Sequence, residues 1–301
     1  MFKPPYLIGV DIGTTICKAV LFDSELKQVS SAEKEYPMPL CPRDGWSEQD
    51  PDIVLNGALT VIRKAVRNSQ VDPATIKGIC FSSQVLGLTP INKGGEPLRY
   101  ALSWQDRRAT SQAEWIRRKI GEEMIYDITG HKIGPINIEP MILWIKENQP
   151  DIYSRTYKFL CIKDYVEFRL TGEIATDPSC LITSLSFNIR KAERSDELLD
   201  LMEIPSDKLP DIKPSIGTAG YITNTMSKPT QLRKGTPIIM GGFDTVIASL
   251  GAGVVRPGQV LDACGTSTVI LLHMDKLLLD RLMPKRQFYL SCHVIPNQYT
   301  C

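Results

Sequence analysis

The sequence predicts an α/β fold in which a first sheet is followed by a helical middle and then by the start of a second sheet. Three observations point there. Strand-like apolar runs gather near both ends of the 301 residues. Two small turns, Asp11-Ile12-Gly13-Thr14-Thr15 and Gly265-Thr266-Ser267-Thr268, each lie between such runs. A third turn, Gly241-Gly242-Phe243-Asp244-Thr245, follows another apolar run shortly before the second of these.

Taken in order, strands are expected at Leu7–Asp11, Cys17–Phe22, Gln28–Tyr36 and Ile76–Ser82. A helix over Asp52–Asn68 is signalled by Asp50-Pro51-Asp52 and by Ile53, Leu55, Leu59, Ile62 and Val66 at near-helical spacing. Pro37 to Pro51 carries four prolines and reads as a loop. Mixed apolar and charged periodicity predicts helices over Thr110–Ile120, Glu139–Glu147 and Lys163–Leu170, punctuated by glycines and prolines. Pro205 to Lys234 reads as a polar connector before a strand at Pro237–Met240. Ala248–Gly253 reads as a short helix, and strand returns over Val260–His273.

Composition excludes several classes. A formal net charge of +1 provides no global field to recruit nucleic acid or an anionic membrane. The clusters Arg107-Arg108 and Arg117-Arg118-Lys119 sit among Glu and Gln, as on a solvated helix face. Eight cysteines show no Cys-x-x-Cys pair, and Cys17, Cys80, Cys161 and Cys264 lie in apolar runs, which favours a reducing compartment over a disulfide scaffold. His131, His273 and His293 are too scattered for a zinc site, and His273 on an apolar strand reads as core. No apolar stretch approaches the ~18 residues that span a bilayer. Asp11 interrupts the first apolar run where a signal peptide would continue, so a cytoplasmic location is the expectation.

The chemistry concentrates at the three turns. A strand, a small turn and a second strand present backbone N–H and hydroxyl donors with little side-chain bulk, which suits phosphate. Asp11 at a strand end can hold a hydrated Mg²⁺ through water, because Mg²⁺ keeps most of its shell. Gly13 lets phosphate approach, Thr14 and Thr15 can donate, and Lys18 can reach the same oxygens; a plain hairpin turn is the alternative. No Walker loop or G-x-G-x-x-G is present. At the second apolar run, Gly241 and Gly242 would admit a ligand, and Asp244 would be kept ionised by the dipole of the following helix. An ionised Asp can accept a proton from an attacking hydroxyl; in isolation a helix N-cap explains it better, and the nearby second phosphate-type turn tips the balance toward catalysis. Ser103-Trp104-Gln105-Asp106-Arg107, with Cys80-Phe81-Ser82-Ser83-Gln84 upstream, combines an aromatic platform with hydroxyl-binding groups, or else a loop anchor with a surface ion pair.

Together these segments resemble the FGGY carbohydrate kinases, the sugar and polyol kinases. The resemblance runs through Asp11–Thr15, Gly45-Trp46-Ser47-Glu48-Gln49-Asp50-Pro51, Trp104-Gln105-Asp106-Arg107-Arg108, Leu143-Trp144-Ile145-Lys146-Glu147-Asn148, Lys163-Asp164-Tyr165 with Leu170-Thr171-Gly172-Glu173, Thr176-Asp177, Leu185-Ser186-Phe187-Asn188, Gly241–Asp244 and Cys264–Ser267. It implies an actin-like ATPase (ribonuclease H-like) fold, with a mixed sheet flanked by helices and two lobes around an ATP cleft. It further implies Asp244 as general base, Asp11 at Mg²⁺, and Gly13, Thr14, Thr15, Lys18, Gly265, Thr266 and Ser267 at the phosphates of ATP. Gln84, Val85, Trp104, Asp106 and Thr245 would face the sugar. Val85-Leu86 stands where relatives carry Met-His or Arg-Glu, and Pro140-Met141 where they often have Pro-Lys.

The expectation is therefore ATP-dependent phosphorylation of a sugar, sugar acid or polyol hydroxyl. Residues 1–252 would form the first lobe and 253–301 the opening strands of an incomplete second lobe. Family members are considerably longer, so weak or absent turnover is expected of these 301 residues alone, because positioning dominates phosphoryl-transfer catalysis. Residues 275–301 would pack irregularly or pair with a second copy as a homodimer. Two rivals remain. A non-catalytic sugar-binding or regulatory protein would have no need of both Asp11 and Asp244, and an ATPase acting on proteins would lack the Gly45–Pro51 and Trp104–Arg108 signatures.

Overall fold

A computed structural model describes residues 2–264, 268–279 and 288–301. Its centre is a six-stranded mixed sheet. Strands β1 (Tyr6–Ile12), β2 (Ile16–Phe22) and β3 (Gln28–Glu35) form an antiparallel meander, and β4 (Ile76–Ser83) runs parallel to β1. Beyond β4 lie β5 (Thr218–Tyr221) and β6 (Pro237–Phe243), with β6 parallel to β4 and antiparallel to β5, giving the order β5-β6-β4-β1-β2-β3.

The pleat sorts the side chains. Ile8, Val10, Ile12, Cys17, Ala19, Leu21, Ile79 and Phe81 are buried in one core with helix α1 (Pro51–Ser69). The residues between them, Gly9, Asp11, Lys18, Val20, Phe22, Cys80 and Ser82, turn to the opposite face. Helix α1 starts as expected: Pro51 sits at its first position and Asp50 caps it by accepting the Asp52 amide at 2.9 Å. Its apolar stripe of Val54, Ala58, Val61, Ile62 and Ala65 covers the sheet. A second core unites α2 (Thr110–Lys119) and α3 (Ile138–Asn148) with residues 181–209 and the C-terminal segment through Met274, Leu290 and Cys292. Helix α4 (Ile162–Thr171) joins the first core through Tyr165, Val166 and Leu170.

Three expectations are corrected. The Pro205–Lys234 connector contains β5 and a helix, Asn224–Thr230. The edge strand escaped notice because Ala219 and Gly220 carry no apolar bulk; a Cβ on Gly220 would lie 2.7 Å from Thr171 Cβ, so smallness there is a packing requirement. Strand β6 continues past Met240 to Phe243, and the helix expected at Ala248–Gly253 begins at Asp244 as α5 (Asp244–Gly251). The Val260–His273 run divides into an antiparallel pair, β7 (Val260–Cys264) and β8 (Thr268–Met274), outside the six-stranded sheet. His273 is fully buried, edge-on to His293 with ring centroids 4.8 Å apart, as a core residue. Among the described residues, Cys17, Cys41, Cys80, Cys161, Cys180, Cys292 and Cys301 are free thiols, and no helix is long and apolar enough to cross a membrane.

Candidate active site

The face of the sheet turned away from α1 forms the floor of a cavity of about 790 Å³. Asp11, Lys18, Ser82, Asp244 and Thr245 line it, with Ile247 and Ala248 of α5 and with Ala263 and Val269 of β7 and β8. The register explains the grouping: Asp11 pairs with Lys18 across the β1–β2 ladder and with Ser82 on β4, so all three share a face. Ser82 Oγ donates to Asp11 Oδ1 at 2.9 Å. Burial raises the Asp11 carboxyl above the ordinary aspartate range, and the Ser82 bond and Lys18 ammonium pull it back.

Asp244 enters from the other side of the floor, as the first residue of α5. Its Oδ1 accepts the Thr245 amide at 2.6 Å and the Thr245 hydroxyl at 3.1 Å, while the residue in the capping position is Phe243. The capping alternative is thereby set aside. Burial pushes the Asp244 carboxyl up to about 6, with the Asp11 charge adding to the rise and the Thr245 bonds opposing it. At pH 7 such a group is still roughly nine-tenths ionised, and a carboxylate with its pKa so near working pH is a far better proton acceptor than an ordinary aspartate.

The glycines before Asp244 serve the backbone. Gly241 has φ +63°, and a Cβ there would fall 1.8 Å from Phe81 O; one on Gly242 would fall 2.2 Å from Ser179 Oγ. What approaches these glycines is the neighbouring strand and loop, at an irregularity in the β4–β6 register, and the expected ligand contact is corrected accordingly.

The first Gly-Thr turn is tightly held. The Gly13 amide donates to Ile16 O at 3.0 Å, Tyr36 Oη donates to Gly13 O, and the Tyr36 amide donates to Thr15 O at 2.9 Å. Thr14 is a junction: its hydroxyl donates to Gln84 Oε1 at 2.7 Å and accepts from Trp104 Nε1 at 3.2 Å, and its carbonyl accepts from Gln49 Nε2 at 2.8 Å. Gln84 Nε2 in turn donates to Gln49 Oε1 at 2.8 Å. The Thr14 hydroxyl is thus engaged by Gln84 and Trp104.

Asp106 is corrected. It is fully buried, its Oδ2 accepting the Ser47 amide at 2.6 Å and Arg108 Nη2 at 2.8 Å, and its Oδ1 the Arg108 amide at 2.9 Å. Arg108 lies 3.7 Å over the Trp46 ring and 2.8 Å from Glu48. The Gly45–Pro51 and Trp104–Arg108 segments are therefore two halves of one internal knot, and Asp106 offers no oxygen to a sugar. Val85 packs against the second core. Gly265, Thr266 and Ser267 lie outside the described residues, although the strands on either side of them reach the cavity. Sequence reasoning gave no role to Ser82, Tyr36 or Gln49; the register of β4 against β1 would have pointed to Ser82 alone.

A metal fits only in one manner. Among the described residues no three His, Cys, Asp or Glu side chains gather as a cage, while Asp11 offers a hard carboxylate at the cavity wall. That donor set suits Mg²⁺ carried with its own waters.

A cavity lined by two aspartates and a lysine on a mixed sheet defines the class of site, and comparison with known proteins names the family. The sequence profile of the FGGY family of carbohydrate kinases, N-terminal domain, matches residues 6–251. The chain belongs to that family. It is 32% identical over 271 residues to a xylulose kinase of Bacillus subtilis, covering 90% of this chain and 54% of that protein. It is 30% identical to a glycerol kinase of Thermococcus kodakarensis, covering 91% and 54%. A ligand-bound xylulose kinase from Lactobacillus acidophilus superposes with a TM-score of 0.90 at 27% identity, over 98% of this chain and 59% of that one. The chain spans about half the length of the curated relatives it matches.

Proposed function

We infer that this chain is the base-bearing lobe of an ATP-dependent kinase acting on a hydroxyl of a sugar, sugar acid or polyol. One observation carries the reading: Asp244, with its pKa raised to about 6, and Asp11 face a single cavity of about 790 Å³. Asp244 takes the proton of the substrate hydroxyl as that oxygen attacks the γ-phosphorus of ATP. Thr245 aims the carboxylate by holding one of its oxygens. Lys18, Thr15 and the backbone of the Gly13–Ile16 turn hold the transferred and leaving phosphates, with Gly265, Thr266 and Ser267 approaching from the facing hairpin. Asp11 holds the waters of a Mg²⁺ ion, which when bound neutralises phosphate charge.

The Thr14–Gln84–Trp104 network offers the sugar its amide and aromatic surface, with Val85 as an apolar wall. Residues 1–252 act as this lobe, and 253–301, whose strands pair outside the six-stranded sheet, open a second lobe. The protein works in the cytoplasm.

The test is turnover of ATP by the whole translated protein against ketoses, aldonates and polyols. Phosphorylation of at least one, reduced about 10²-fold or more by Asp244→Ala, is expected. Absence of turnover with every alcohol, or an unaffected Asp244→Ala variant, sinks the reading.

A further inference from the structure

Behind the Asp244 corner lies a fully buried polar cluster that the reaction does not use. Lys163, on α4, places its ammonium 3.0 Å from Asp164, 3.1 Å from Glu167 and 3.2 Å from Asp177 Oδ2. Asp177 Oδ1 faces the other way and collects four donors: the Ser179 amide at 2.9 Å, the Ser179 hydroxyl, the Cys180 amide at 3.3 Å and the Ser215 hydroxyl at 3.1 Å. Both serines then grip the corner. Ser179 Oγ, its proton committed to Asp177, accepts the Phe243 amide at 3.0 Å, and Ser215 O accepts the Gly241 amide at 3.0 Å. Phe243 is the residue immediately before Asp244, at the capping position of α5. It has no side-chain oxygen of its own with which to cap the helix.

We propose that Asp177 and Ser179 are positioning residues for Asp244, forming a clamp that fixes where α5 starts and so where its first carboxylate points. The chemistry demands it. Strand β6 reaches this corner through two glycines whose dihedral freedom would otherwise leave the corner loose. A carboxylate oriented by four donors holds the Ser179 hydroxyl in one rotamer, so that its lone pair is aimed at the Phe243 amide. Lys163 pairs with the other oxygen of Asp177, and Asp177, Ser179 and Ser215 are all buried, so water does not readily replace a bond lost among them. Displacing a catalytic group by about 1 Å from a distance can cost on the order of 100-fold in rate.

The proposal rests on Asp244 being the base, and the experiment separates the two. On the whole translated protein, Ser179→Ala should speed hydrogen exchange of the Phe243 amide at least tenfold. It should lower kcat about 10- to 100-fold while both KM values stay within twofold. Ser186→Ala, a buried serine bound instead to Glu139, controls for loss of a buried hydroxyl and should change neither quantity. Should Ser179→Ala not fold, Ser179→Cys, whose sulfur is a weaker acceptor, should show the same pattern in reduced degree. Unchanged Phe243 exchange, or a fall in kcat matched by Ser186→Ala, overturns the clamp. Asp244→Asn run in parallel isolates the underlying reading. Wild-type turnover there overturns the base, and with it the clamp's purpose; an inactive Asp244→Asn beside a wild-type Ser179→Ala overturns the clamp alone.

Discussion

Asp244 and Asp106 stand in comparable places in the sequence, each in a short polar turn of the resemblance, and the fold treats them in opposite ways. Asp106 sits fully buried with both oxygens filled by Arg108 and by the Ser47 amide. Asp244 borders a large cavity with bonds only from Thr245 on its first oxygen among those described, beside a second carboxylate that disfavours its charge. A saturated carboxylate holds structure together, whereas an under-bonded one beside open volume is available for chemistry. The difference teaches that membership in a signature says little about a residue's work until its lone pairs are accounted for.

The contrast is broken most forcefully by neutralising each acid. Asp244→Asn should lower turnover by about three orders of magnitude. Yet it should melt at the same or a higher temperature, because a carboxyl whose folded pKa is raised destabilises the fold once ionised. The same raised value sets an acid limb: rate should fall about tenfold per unit as pH drops below about 6, where Asp244 binds a proton. A flat kcat/KM profile between about pH 5 and 7 would remove Asp244 from the reaction. Asp106→Ala should do the reverse. Removing one partner of a buried pair costs about 3 kcal/mol, a drop of roughly 6 °C in Tm, with turnover per folded molecule little changed. Calorimetry and active-fraction titration would decide, and an Asp106→Ala protein of normal Tm with a raised sugar KM would return Asp106 to the substrate.

Much of this contrast could not be read from the chain alone. The meander, α1 and the strand before Asp244 were legible because their periods of about 2 and 3.6 are local properties. The turns around Asp11 and Asp244 were legible as chemistry because glycine, threonine and aspartate crowd between apolar runs. Saturation is not local: Asp106 finds the Ser47 amide 59 positions away, and Thr14 finds Gln84 and Trp104 at separations of 70 and 90. The purpose of Gly241 was likewise hidden, since the atom it avoids is the Phe81 carbonyl on another strand. The edge strand Thr218–Tyr221 was invisible because its small residues answer to Thr171 rather than to any apolar alternation.

The smallest expected effect sharpens the comparison, because it concerns carboxylates that are buried like Asp106 but crowded like Asp244. Around Lys163, burial pushes Glu167 up to about 8, with the Lys163 charge opposing the rise and Asp164 reinforcing it. Burial alone would lower the Lys163 ammonium, but the three carboxylates reverse this and raise it well above its ordinary value. Since the folded pKa of Glu167 exceeds its unfolded one, its protonated form favours the fold. Wild-type stability from this group is therefore full below about 4.5 and lost as pH rises toward about 8. Glu167→Gln keeps an acceptor for Lys163 yet cannot ionise. Relative to wild type it should gain stability progressively between about pH 5 and pH 8, read as a growing difference in denaturation midpoint. A difference that stays constant across that range would mean Glu167 is already charged in the fold, and that crowding, unlike open volume beside Asp244, leaves a buried acid's protonation untouched.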